Sequence, residues 1–133
     1  MDIAVTFPQG KRVNARVGTF DISTDQPVEQ GGEGSAPAPY DLFLASLATC
    51  AGIYALGFCQ ARGLDTDGLG IVQHVEFDDE THLPTQISFE VTLPRDFPEK
   101  YESTIRRVVD GCKVKKTLAA PPVFDVVLAH LES

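Results

Sequence analysis

Residues 39–64 read PYDLFLASLATCAGIYALGFCQARGL, and from Leu42 to Cys59 the stretch carries no charged residue. Pro39 is tolerated in a first helical turn, Asp41 complements the positive end of the helix dipole, and Gly63 suits the left-handed residue that ends a helix. These signals predict one helix from about Pro39 to Arg62, roughly 36 Å long at about 1.5 Å per residue. The uncharged run approaches the length of a membrane span. Ser46, Thr49, Gly52, Gly57 and two cysteines interrupt it, however, and no basic flank sets an orientation. A helix apolar on all faces and buried in a protein core is the better reading.

Upstream of this helix, Gln30 to Pro39 is rich in glycine and proline and reads as a loop. Before it, Ile3, Val5 and Phe7 alternate with smaller or polar residues, and turns at Pro8-Gln9-Gly10 and at Gly18 separate three short antiparallel strands, Asp2–Phe7, Lys11–Val17 and Thr19–Thr24. Downstream, Asp65 to Gly70 is a polar turn. Ile71, Gln73, Val75 and Phe77 begin a strand that runs to about Asp79, and a hairpin near Glu80 to Pro84 leads into a second strand, Gln86 to Leu93. Pro98 and Glu99 open a further helix with an apolar stripe of Tyr101, Ile105, Val108 and Val109 that ends near Gly111. Cys112 to Leu118 reads as a short helical turn, Pro121-Pro122 breaks it, and Val123 to Leu131 is a strand by its β-branched and aromatic content. The order predicts an α+β fold, with no repeat or linker and a single domain over residues 1–133.

Composition narrows the function. The 133 residues carry a formal net charge of -8, which argues against nucleic acid or an anionic membrane surface as a partner, because both demand a basic patch. The one dense basic cluster is Lys113, Lys115 and Lys116. Three cysteines, without a secretory leader, do not make the even, dense set of a disulfide framework, and the cytoplasm is the expected compartment. His74, His82 and His130 have no metal-ligand spacing. Asp78, Asp79 and Glu80 read as a solvated turn.

The cysteines are the residues with chemistry to offer. Cys50 lies mid-helix, where a free cysteine commonly serves as a small buried hydrophobe. Cys112 follows the second helix beside lysines, whose positive charge favours a thiolate; the same lysines also suit the negative end of that helix. Cys59, nine residues after Cys50, faces the other side of the same helix about 13 Å along its axis. A disulfide needs Cα atoms within about 7 Å, so Cys59 reads as a packing residue. If the two helices pack together, Cys50 and Cys112 could be linked, and a dithiol that cycles to a disulfide reduces a peroxide with neither metal nor organic cofactor.

The block at 39–64, followed far downstream by CKVKKTL at 112–118, resembles the OsmC/Ohr family, and the order of strands and helices is similar over almost the whole chain. The resemblance implies antiparallel sheets around a long central helix, an intertwined homodimer with two interfacial sites, and an organic hydroperoxide as substrate. It assigns Cys50 as the peroxidatic thiol and Cys112 as the resolving thiol, with a dithiol such as a lipoyl group as reductant. Peroxidases of the family also use an arginine from the N-terminal strands and a glutamate ten residues before the first cysteine. Here that position is Tyr40, and the nearest carboxylate is Asp41, which projects away from Cys50 and also suits the helix N-terminus. For the arginine, Arg12 and Arg16 lie four apart and share a strand face; Arg12, beside the turn, is preferred. Two alternatives remain: a protein of the same fold that binds a small apolar ligand, and a redox sensor that does not turn over.

Overall fold

A computed structural model describes residues 1–131. Strands β1 (Ile3–Thr6), β2 (Val13–Val17) and β3 (Phe20–Thr24) form an antiparallel sheet in the order β1-β2-β3. A loop with a short 3-10 turn at Val28–Gln30 leads to helix α1 (Pro39–Ala61). Strands β4 (Gly70–Phe77) and β5 (Pro84–Thr92) form a hairpin, and helices α2 (Glu102–Asp110) and α3 (Lys113–Ala119) follow. The chain is therefore α+β, as its order of patterns predicts. Backbone contacts divide it into two compact units, 1–46 and 47–133, with the division inside α1.

In the first unit, register turns alternation into two chemically different sheet faces. Val5 pairs with Ala15 and Ala15 with Ile22, while Ile3 pairs with Val17 and Val17 with Phe20. Paired residues share a face and successive residues alternate. One face is thus apolar except for Thr24 opposite Val13, and the other carries Asn14, Arg16, Asp21 and Ser23. Ile3, Val5, Phe20 and Ile22 on the apolar face are nonetheless exposed. The second strand starts at Val13 rather than Lys11, which leaves Arg12 in the preceding turn with its N–H donated to the Gln9 carbonyl.

Both ends of α1 follow from side-chain and backbone chemistry. Asp41 accepts the Ala38 N–H at 3.3 Å while the Leu42 N–H reaches the Ala38 carbonyl, closing the first turn. At the other end Gly63 adopts φ 64, its N–H reaches the Gln60 carbonyl and the Leu64 N–H reaches that of Cys59. That is the Schellman pattern, which satisfies carbonyls the helix leaves free.

The core of the second unit gathers Ala51, Ala55, Phe58 and Cys59 of α1 against Ile105 and Val109 of α2, with Ile71, Phe89 and Val91 of the hairpin packed on it. The Phe58 and Tyr101 rings meet edge to face with centroids 5.7 Å apart, and the Arg62 guanidinium lies 3.7 Å above Phe58. By length and composition α1 could cross a membrane, yet this stripe is buried as in a core helix. Burial on all faces is not what a single chain achieves: Ile53, on another face, remains 59% exposed.

The last predicted strand, Val123–Leu131, is the main departure. The segment has no regular secondary structure, and Val123, Phe124, Val126, Val127, Leu128 and Leu131 are all more than four-fifths exposed. Strand propensity cannot by itself supply partners for backbone N–H and C=O groups, and no strand of the described chain pairs with this segment.

Candidate active site

All three thiols are free. Cys50, in the middle of α1, is half-buried and adjoins Ala51 of the core. Cys112 is fully buried and forms the N-cap of α3, three residues after Val109 of the same core. Ala51, beside Cys50, and Val109, three residues before Cys112, thus belong to one hydrophobic cluster. Cys59 is fully buried on the core stripe, and burial pushes its thiol pKa up, with Arg62 opposing. An alternation of exposure along one helix separates an accessible thiol from an inert one.

The lysines near Cys112 are not a uniform positive cluster. Lys115 hydrogen-bonds the Asp110 carboxylate, holding that carboxyl below its ordinary range, and its ammonium lies 5.4 Å from the Phe89 ring centroid. Beside it a groove of about 640 Å³ runs between β5 and α2. Ile87, Phe89, Val91 and Ile105 give it an apolar lining, and Arg106 and Arg107 are charged residues on its wall.

The candidate arginines have different fates. Arg16 donates Nη1 to both Asp21 carboxylate oxygens at 3.0 Å and Nε to the Gly18 carbonyl at 3.3 Å, and is 54% exposed. Arg12 directs Nη2 to Glu33 Oε2 at 3.1 Å, and its Nε is buried without an acceptor among the described residues. It borders a cavity of about 250 Å³ shared with Asn14, Ser23, Thr24 and Ser35. Asp41, the nearest carboxylate to the family's glutamate position, is bound to the Ala38 N–H at the helix start, the helical role its position suggests. Tyr40 stacks obliquely on Phe43 at 5.5 Å.

Two residues escaped the sequence reading. Asp25 is 1% exposed, and hydrogen bonds from the Ser35 hydroxyl and from the N–H groups of Gln26, Ser35 and Glu33 hold its carboxyl at about 2, against a smaller opposing effect of burial. Glu33, which pairs with Arg12, was the other. The available signal was that Glu33 is the only charged residue between Gln30 and Tyr40. Among the described residues no group of three histidine, cysteine, aspartate or glutamate side chains could hold a metal ion.

The sequence has no match among curated proteins. Solved structures do resemble it. An osmotic stress induced and detoxification response protein from Psychrobacter arcticus 273-4 superposes with a TM-score of 0.74 at 22% identity, covering 86% of this chain and 85% of that one. An OsmC-like protein from Mycoplasma pneumoniae gives 0.64 at 19% identity, over 90% and 87%. An organic hydroperoxide resistance protein OsmC from Legionella pneumophila, described as a predicted redox protein, gives 0.60 at 16% identity, over 88% and 87%. At such identities these likenesses establish the fold. The sequence pattern described as OsmC-like protein matches residues 32–127, which include Cys50, Cys112 and the whole of α1, α2 and α3, and on that match the chain belongs to the OsmC-like family.

Proposed function

We propose that the protein is a thiol-dependent peroxidase that reduces organic hydroperoxides, with Cys50 as the attacking thiol and Cys112 as the resolving one. The observation that carries this reading is the unequal exposure of two free thiols on elements that share one core, through Ala51 and Val109: Cys50 is half-buried and Cys112 fully buried. An attacking sulfur must meet its substrate, whereas a resolving sulfur gains from being shielded from peroxide until it is needed. The Cys50 thiolate attacks the outer oxygen of the hydroperoxide, forming an S–O bond as the O–O bond breaks, and the departing alkoxide takes a proton to become an alcohol. The Cys112 sulfur then attacks the sulfenic sulfur, forming the S–S bond and releasing water. A dithiol of lipoyl type returns two electrons and two protons and leaves as its own disulfide. No metal or organic cofactor enters this balance.

Arg12 is the guanidinium we assign to stabilising negative charge in the first step, because Arg16 already donates through Nη1 to Asp21 and through Nε to the Gly18 carbonyl, whereas Arg12 gives only Nη2 to Glu33. Asp41 we assign to the start of α1. A homodimer is the assembly we propose, since the apolar face of the first sheet, Ile53 of α1 and the segment Val123–Leu131 all present apolar side chains to water. The net charge of -8 supports neither nucleic acid nor an anionic membrane as partner, and free thiols suit the cytoplasm.

Turnover of cumene hydroperoxide with a dithiol reductant tests the proposal. The wild type should cycle, and Cys50→Ser should not. A wild type that stalls after one oxidation is a sensor rather than an enzyme. The apolar groove between β5 and α2 favours a second reading, the binding of a small apolar ligand. Binding that survives Cys50→Ser, in a protein whose wild type does not consume hydroperoxide, would support it.

A further inference from the structure

The loop between β3 and α1 is built around one buried carboxylate. Asp25 accepts hydrogen bonds from the N–H groups of Gln26, Glu33 and Ser35 at 2.7, 3.3 and 3.1 Å, and from the Ser35 hydroxyl at 2.6 Å. The Gly34 N–H reaches the Gln26 carbonyl, and the Asp25 N–H reaches that of Pro37. At Gly32 a Cβ would run into the Gln26 carbonyl and lie 2.8 Å from Asp25 Oδ1, so the loop closes only with glycine there. Glu33 is therefore fixed at its backbone before its side chain meets Arg12. This matters because an exposed ion pair is ordinarily weak, much of its attraction being offset by the ordering of two long side chains. Here one partner is already held. A guanidinium offers five donors in a rigid fork; Glu33 Oε2 accepts from Nη2, the Nε–H lies buried without an acceptor among the described residues, and the polar cavity opens beside it.

We infer that Glu33, carried on the loop organised by Asp25, is the positioning residue for Arg12, fixing the guanidinium so that its remaining donors are aimed at an anion. What the fixed guanidinium then does rests on the peroxidase reading.

Two readouts on the full chain test this separately. The first is the Arg12 Nε–H resonance in a proton–nitrogen spectrum, identified by its loss in Arg12→Lys. The second is the single-turnover rate of Cys50 oxidation by cumene hydroperoxide. Glu33→Gln should shift and broaden the resonance and slow oxidation about tenfold, the scale of a hydrogen bond to a charged group. In an Arg12→Ala background the same change should alter the rate by less than about twofold, because the two residues act as one unit. Glu33→Asp should recover part of the rate. Gly32→Ala should shift the same resonance without touching either member of the pair. An Arg12 resonance unmoved by Glu33→Gln, or an equal slowing in the Arg12→Ala background, overturns the inference. If the wild type reacts with no hydroperoxide, the peroxidase reading falls and the resonance decides alone: a shift upholds the positioning and its absence overturns it.

Discussion

Cys50, Cys59 and Cys112 are the same side chain in three settings, and the settings assign their chemistry. Cys59 is buried on the α1 stripe with its thiol pKa pushed up by desolvation, so it should resist iodoacetamide in the folded protein while Cys50 is alkylated; peptide mass mapping after a short labelling pulse checks this. Cys59→Ser should leave peroxide consumption in place yet lower stability by about 1–3 kcal/mol, the cost of burying a hydroxyl without a partner, as read by denaturant unfolding. The opposite facing of Cys50 and Cys59 was legible in the sequence, because 100° per residue fixes it once the helix is granted. The partner of Arg12 was not. Arg12 and Glu33 are 21 positions apart and meet only through the fold of the intervening β2–β3 hairpin and loop, and a residue between two glycines reads as an ordinary solvated charge.

At the scale of elements, local signals carried furthest where an element completes its own hydrogen bonds. Helix α1 begins at Pro39 with Asp41 closing its first turn and stops at a left-handed Gly63, as its cap residues predict. The three hairpins, β1–β2, β2–β3 and β4–β5, likewise follow from alternation and turn residues. The loop from Asp25 to Ala38 is a different kind of element, since its order comes from one carboxylate rather than from periodicity. Asp25 has its folded pKa depressed from 3.8 to about 2. Its contribution to stability is therefore present above about pH 4 and is lost as pH falls through about 2. Wild-type stability should decline across that window, and Asp25→Asn, less stable at neutral pH, should show a smaller decline; thermal melts at stepped pH measure the difference. Equal declines would separate Asp25 from the acid transition.

For the whole molecule, the apolar surface left open by a single chain is the organising fact. Val123–Leu131 has the composition of a strand and, among the described residues, no strand beside it, and Ile3, Val5, Phe20 and Ile22 of the first sheet are exposed as well. Sequence could predict the propensity but not the pairing, because propensity does not supply partners for backbone N–H and C=O groups. If a second copy covers this surface, the protein should sediment as a dimer, and Val126→Asp with Leu128→Asp should shift it toward monomer while leaving α1 folded by circular dichroism. A wild type that sediments as a monomer at micromolar concentration would oppose the dimer. The proposed chemistry, however, requires that oxidation join Cys50 to Cys112. Its most direct measurement is the thiol titre before and after one equivalent of cumene hydroperoxide, followed by mass mapping of the linked peptides. Two thiols per chain should be lost and a Cys50–Cys112 linkage should form, with Cys59 still free. An unchanged titre, or a linkage through Cys59, would contradict it.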